Sequence, residues 1–159
     1  VPFLKMKVPN FSPGQGDIRD FLVISEEAFA SNCRELRRQI YIIDATMETK
    51  PVPVAIFKVP DNDFCSRGGR FGPHQFAETR DGKIIGGTLL YIAYFNAGLR
   101  VVDISDPFHP REAGYYVPDP PTRGGIVQTN DVDLDYRGYV YITDRTGAGL
   151  HVLEYTGNK

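Results

Sequence analysis

The central part of the chain alternates short apolar stretches with sequences typical of turns. Residues 90–95 form a continuous apolar and aromatic run, and residues 99–104 form a second run rich in β-branched side chains. A glycine-containing turn at 96–98 separates the two. Two prolines in the segment 105–110 end the second run, because proline fixes φ and has no N–H to donate; residues 112–117 then resume an extended pattern. This spacing predicts a meander of three antiparallel strands.

The same pattern recurs along the chain. Residues 141–144 and 147–153 repeat residues 91–94 and 97–102. A more divergent third copy covers residues 21–24, 39–44 and 52–59. Repeats of one four-stranded unit are the sequence signature of a β-propeller. The repeats therefore predict an all-β chain that forms part of a propeller.

The repeats assign the whole chain to a single partial propeller domain. Residues 1–10 are predicted as the outer strand of a preceding blade, and the blades that follow cover residues 11–60, 71–118 and 128–159. The last of these has three predicted strands and no fourth. Propellers typically close with about four to eight blades, and an open arc would expose sheet edges. We therefore expect a second polypeptide, or a symmetry mate in a homo-oligomer, to complete the ring.

Charge and composition exclude two classes of partner. The net charge is −2, with acidic and basic residues interspersed, whereas a nucleic-acid surface needs clustered Lys and Arg. No stretch approaches the roughly 20 apolar residues of a membrane span. Cys33 and Cys65 permit one disulfide but do not require it.

The motif at the end of the second apolar run carries a family resemblance. The segment Leu99–Pro107, followed by Pro110, resembles the LVIVD repeat of bacterial β-propeller-like proteins, which has a Leu-x-Val-Val-Asp-Val strand and a Ser/Thr-Asp-Pro-x-x-Pro turn. Looser copies lie at Tyr41–Thr46 and Leu150–Glu154. The chain resembles the C-terminal portion of such a protein. The resemblance implies a propeller-like fold and a secreted or surface protein, extracellular or periplasmic, whose relatives mostly have no assigned activity.

Propeller topology predicts where a site would form. The starts of the first strands, the loops between second and third strands, and the linkers between blades all meet on one face, at the mouth of the channel. Positions on this face are His74, Gln75, Asn130, Asp131, Glu26, Glu27, Asp144 and Arg145, with Tyr94, Phe95 and Asn96 as the counterpart in the middle blade. Cys33 and Cys65 fall on the same face, so a disulfide between them is topologically allowed.

These residue types suit a small-molecule site with acid/base chemistry, of hydrolase or lyase type if the site is catalytic. His74 is the candidate general base, and Arg145 could bind a carboxylate or phosphate. Glu26 or Asp131 could orient the ligand or transfer protons. The remaining candidates, which would contact the ligand, are Gln75, Asn130 and Asp144.

Two other interpretations remain open. Polar residues at the starts of inner strands also join neighbouring blades, so the alternative function is a non-enzymatic secreted interaction scaffold. No cofactor is indicated except a metal held partly by His74, and only if other blades supply further ligands. The series Asp131, Asp133, Asp135 lacks the glycine that a calcium loop needs, since Tyr136 stands there, so a polar strand face is favoured.

Overall fold

A computed structural model describes residues 2–8, 16–36, 38–78, 87–122 and 124–157. These residues form eleven β-strands and no helix, arranged as three antiparallel sheets. The prediction of an all-β chain is confirmed. The sheets have four, four and three strands, and they are consistent with the blades of a propeller-like fold.

The first sheet contains its strands in chain order: β1 (Phe3–Lys7), β2 (Ile18–Ser25), β3 (Ile40–Asp44) and β4 (Val52–Phe57). The assignment of residues 1–10 to a preceding blade is wrong, because β1 pairs with β2, with Phe3 opposite Leu22. Strands β1 and β4 lie at the two edges of one sheet. Their similar sequences reflect that shared position, and sequence similarity alone could not say which edge β1 occupies.

The middle sheet has the same order: β5 (Gln75–Phe76), β6 (Leu89–Ala93), β7 (Leu99–Asp103) and β8 (Arg111–Tyr116). Its pairing with the fourth strand is irregular between Val101 and Val102, as it is between Ile42 and Ile43 of the first sheet. The aspartate that follows accepts a hydrogen bond from the backbone N–H two positions on: Asp44 accepts from Thr46, and Asp103 accepts from Ser105. The repeated sequence therefore encodes both the irregularity and the turn after it.

Within the described residues, the third sheet has three strands: β9 (Thr129–Leu134), β10 (Tyr139–Asp144) and β11 (Leu150–Glu154), with β10 in the centre. Side chains of β11 alternate between exposed and half-buried, as expected for a strand at a sheet edge.

Two apolar clusters join the three sheets. The first and middle sheets share one cluster, to which β6 contributes Leu90 and Ile92. The middle and third sheets share the other, to which β6 contributes Tyr91 and Ala93. Alternate residues of β6 thus face opposite neighbours, and all five of its residues are buried. This explains why its sequence is continuously apolar.

A disulfide joins Cys33 to Cys65. It connects the loop between β2 and β3 with the linker between the first and middle sheets. The disulfide allowed by the sequence analysis is therefore formed, and it fixes two segments on the face where the site was predicted.

Candidate functional site

The second strand of each sheet ends in an equivalent turn. At that point one backbone N–H donates to the carbonyl of the residue just before or at the start of the third strand. The donors are Glu26 in the first sheet (3.0 Å), Tyr94 in the middle sheet (2.7 Å) and Asp144 in the third sheet (3.0 Å). The chain then leaves the sheet with one further residue. Those three equivalent residues are Glu27, Phe95 and Arg145.

These three residues meet around His74, which precedes β5. The Nδ1 atom of His74 lies 2.6 Å from the carbonyl oxygen of Asn130. A carbonyl only accepts hydrogen bonds, so Nδ1 carries the proton, and Nε2 of the neutral ring presents a lone pair. That Nε2 atom lies 3.5 Å from Oε1 of Glu27 and 3.4 Å from Nη2 of Arg145. The imidazole is thus oriented by one strand and faces an acid and a base from two others.

Phe95 is the platform beneath these groups. Its ring is fully buried, and its centroid lies 4.8 Å from that of His74. The guanidinium carbons of Arg70 and Arg145 lie 5.4 and 5.3 Å from the ring centroid, distances typical of cation–π contacts. Phe95 has φ of +43°, in the left-handed region that non-glycine residues rarely adopt. Such conformations persist only where the surroundings impose them.

We call the group formed by Glu27, Arg70, His74, Phe95, Asn130 and Arg145 the His74 cluster. Within it, Arg70 pairs with Glu27 over 3.1 Å. Arg145 donates from Nε to Oδ1 of Asn130 over 2.6 Å, and its Nη2 donates to the same oxygen. Arg145 is exposed, and no carboxylate of the described residues lies within ion-pair distance of it.

The backbone of Arg70 is fixed by a buried glutamine. Gln128 accepts from the Arg70 N–H over 3.0 Å and donates to the Arg70 carbonyl over 3.1 Å. Both ends of the glutamine amide are therefore used, which holds the linker before β5 against the segment before β9.

A cavity of about 290 Å³ lies beside His74, between the first and middle sheets. Among the described residues, its other lining residues are Pro2, Ile24, Ser25, Gln75, Phe76, Ala77 and Glu78. Hydroxyl, amide and carboxylate groups thus share this surface with the imidazole. The cavity is at the small end of the range for ligand sites in proteins.

The structure brings together three of the predicted site residues, namely His74, Asn130 and Arg145. Gln75 lines the adjacent cavity. Glu26 instead accepts a hydrogen bond from the hydroxyl of Tyr41 over 3.4 Å. The acidic residue next to His74 is Glu27, which follows Glu26 in the chain, because the chain leaves β2 at Glu26.

Two predicted residues lie in local structure outside the cluster. Asp131 is exposed and accepts from the N–H of Val132, on the side of β9 opposite Asn130. Asp144 stabilises its own turn by accepting from the N–H groups of Gln128, Thr146 and Ala148. Burial raises the pKa of Asp144, but these hydrogen bonds lower it more, so the pKa lies below its ordinary value.

Residues 84–117 match the family of the LVIVD repeat. The repeat is associated with β-propeller-like folds, in agreement with the sheets described above. A search of curated proteins gives no match to the chain.

The LVIVD repeat includes β6, β7 and β8 and contributes Phe95 to the His74 cluster. The charged members of the cluster come from outside that segment. The match therefore supports the scaffold and leaves the chemistry of the cluster to be argued from its own geometry.

Sequence reasoning did not select Glu27, Arg70 or Phe95 as site residues. The signal for two of them was the repeat itself, because Glu27 and Phe95 occupy the position equivalent to Arg145. Arg70 lies in the linker between the first two blades, which was predicted to reach the same face. No sequence pattern indicated that its side chain pairs with Glu27.

Metal binding finds no support in the described part of the chain. There, no group of three or more His, Cys, Asp or Glu side chains could hold a metal ion. His74 has an arginine and a single carboxylate as neighbours. Asp131 accepts from the next backbone N–H, and so does Asp133. Within the described ranges, no helix has the length and apolarity that a membrane crossing needs.

Proposed function

We propose that this chain is part of a propeller-like scaffold that binds a small polar molecule at the His74 cluster. The observation that carries the proposal is the convergence of equivalent residues from all three sheets on one imidazole beside a cavity. Binding sites in proteins are typically concave and contain a few polar groups of this kind. His74 would be the central ligand-binding residue, with Arg145, Asn130 and Gln75 around it.

The same geometry would allow acid/base chemistry. The carbonyl of Asn130 holds the His74 ring so that Nε2 is the atom with the lone pair, with Glu27 and Arg145 close to it. An imidazole oriented in this way can remove a proton from a bound molecule and return it, as hydrolase and lyase reactions require. We include this activity in the proposal as a role of His74 in a ligand complex.

We also propose that further sheets complete a ring around the site. Three sheets are fewer than the roughly four to eight blades with which propellers typically close. Another polypeptide or a symmetry mate would supply them. Native mass beside denaturing mass tests this: a complex larger than the 17.8 kDa chain is expected. A folded monomer would contradict ring closure in this form.

An extracellular or periplasmic location is the third part of the proposal. The Cys33–Cys65 disulfide supports it, because disulfides persist in oxidising compartments. Thiol titration of protein isolated without reductant checks the point. Two free thiols per chain in the native source would count against this location.

The binding proposal is tested by NMR of the histidine rings. The ring signals of His74 are followed during titration with acetate, inorganic phosphate, ethylamine and glucose, which sample four ligand chemistries. At least one probe should shift the His74 signals saturably. His74→Ala should abolish binding, whereas His109→Ala, at a site where the side chain is 79% exposed, should not. Absence of any saturable shift would refute the proposal.

A second function, a scaffold without chemistry, is favoured by one observation. The contacts of the His74 cluster join all three sheets, as groups that only hold a ring together would do. The two functions differ in the effect of His74→Ala. Loss of thermal stability without any ligand effect in the wild type would favour the scaffold.

A further inference from the structure

The arginines of the described chain differ in their partners. Seven of the nine described arginines form an ion pair with a carboxylate: Arg19, Arg38, Arg67, Arg70, Arg100, Arg111 and Arg137. The two exceptions are Arg34, which donates to a backbone carbonyl in an exposed loop, and Arg145. Of these two, only Arg145 lies beside an imidazole, that of His74, which in turn lines the cavity.

The charges within the His74 cluster do not cancel. Arg70 and Arg145 contribute two positive charges and Glu27 contributes one negative charge, so a cluster with neutral His74 carries a net charge of about +1. The groups that face His74 are Glu27, Arg145, the carbonyl of Asn130 and the ring of Phe95. Among these groups and Arg70, Glu27 is the only anion. One further negative charge would neutralise the cluster.

The side-chain groups that Arg145 contacts are uncharged: the amide of Asn130, the His74 ring and the ring of Phe95. Both Nε and Nη2 donate to the single amide oxygen of Asn130. A guanidinium edge matches the two oxygens of a carboxylate, and charge-assisted bonds of that kind are roughly twice as strong as neutral ones. The neutral amide oxygen is thus readily replaced by a carboxylate.

We infer that the His74 cluster binds the carboxylate of a small monoanionic molecule, with Arg145 as its principal partner. This inference rests on the function proposed above and names the ligand class of the same site. The cavity of about 290 Å³ receives the rest of the molecule, which must therefore be short. A phosphate dianion would exceed the single uncompensated charge.

The experiment compares acetate, inorganic phosphate, ethylamine and glucose on the wild type, Arg145→Gln and Arg34→Gln. Arg34→Gln is the matched control, because it removes an exposed arginine that also lacks a carboxylate partner. Acetate should bind the wild type more tightly than the other probes. Arg145→Gln should weaken acetate binding by about tenfold or more, as expected for loss of a charge-assisted interaction, and Arg34→Gln should leave it unchanged.

A further variant protects the test from a folding artefact. Arg145→Lys keeps the charge but loses the planar fork, so its acetate affinity should lie between those of the wild type and Arg145→Gln. Melting temperatures of all variants are measured in parallel. Equal acetate affinities of the wild type and Arg145→Gln, or tighter binding of phosphate than acetate, would overturn the inference.

The outcomes separate this inference from the proposed function. Saturable binding of glucose or ethylamine at His74, without binding of acetate, would refute carboxylate binding. The proposal that the His74 cluster binds a small polar molecule would still hold. Binding of none of the four probes refutes both.

Discussion

The turns that end β6 and β10 share one equivalent backbone hydrogen bond but are stabilised by different side chains. Each closes with one N–H to carbonyl bond, from Tyr94 to Gly98 and from Asp144 to Gly149. Tyr94 is fully buried, and its hydroxyl donates to the carbonyl of Arg38 over 2.9 Å. Asp144 is only partly buried and accepts several backbone N–H groups of its own region.

The difference follows from the number of neighbours that each sheet has. The middle sheet lies between two others, so a large aromatic side chain at its turn can be buried. Burial raises the pKa of Tyr94 well above its ordinary value, which keeps the hydroxyl neutral. The third sheet has a described neighbour on one side only, and its turn depends on a charged hydrogen-bond acceptor. The same turn of the repeat can therefore be stabilised either by a buried aromatic side chain or by a carboxylate that accepts backbone hydrogen bonds.

Truncation of Tyr94 should cause the largest loss of stability among the variants of these two turns. Tyr94→Ala removes a fully buried ring and should reduce the free energy of unfolding by about 3–5 kcal/mol. Tyr94→Phe keeps the ring and loses only the hydrogen bond to Arg38, at a cost of about 1 kcal/mol. Urea unfolding measures both values. Equal effects of the two variants would show that packing is not what supports this turn.

The third strands give a matched pair of valines. Val101 of β7 and Val152 of β11 are equivalent by the repeat, yet their exposed fractions are 3% and 55%. Val101→Ala should cost about 2 kcal/mol, and Val152→Ala should stay within about 0.5 kcal/mol. Urea unfolding midpoints provide the test. If Val152→Ala cost as much as Val101→Ala, β11 would be covered in solution, for example by another chain.

Acid should affect the third sheet through Asp144. Because its pKa is lowered in the folded state, the unfolded chain binds more protons, and the ionised carboxylate stabilises the fold above the unfolded value of about 3.9. That stabilisation is lost as the pH falls through the folded pKa.

Asp144→Ala should cost about 1–2 kcal/mol at neutral pH, and the gap to the wild type should narrow below about pH 4. Unfolding curves of the wild type and Asp144→Ala, recorded between neutral and acidic pH, measure this difference in stability. A gap that stays constant with pH would mean that the charge of Asp144 contributes nothing.

Substitution by glycine should have opposite effects on stability, relative to alanine, at positions 95 and 145. Phe95 has φ of +43°, whereas Arg145 does not have a positive φ. Phe95→Gly should therefore be more stable than Phe95→Ala by about 1 kcal/mol. At position 145 the order should reverse, with Ala more stable than Gly by about 0.5–1 kcal/mol. Thermal unfolding of the four variants decides this, and the same order at both positions would contradict the assigned backbone.

Much of the fold could be predicted from local sequence. The run Leu89–Ala93, the glycine turn at Gly98 and the prolines after Asp103 specify strand, turn and strand through short-range sterics and hydrogen bonding. The place of β1 could not be predicted in this way. An apolar edge strand has the same sequence character at either side of a sheet, and only its pairing with β2 distinguishes them.

The face that holds the candidate site was also predictable, because topology places all turns of one kind at the same end of the sheets. The choice of Glu27 over Glu26 was not, since it depends on the residue at which the chain leaves β2. The sequence by itself determined strands, turns and repeats, all set by neighbours along the chain. Only the tertiary structure decided which side chains meet His74, because those contacts join residues from different sheets and depend on how the sheets pack.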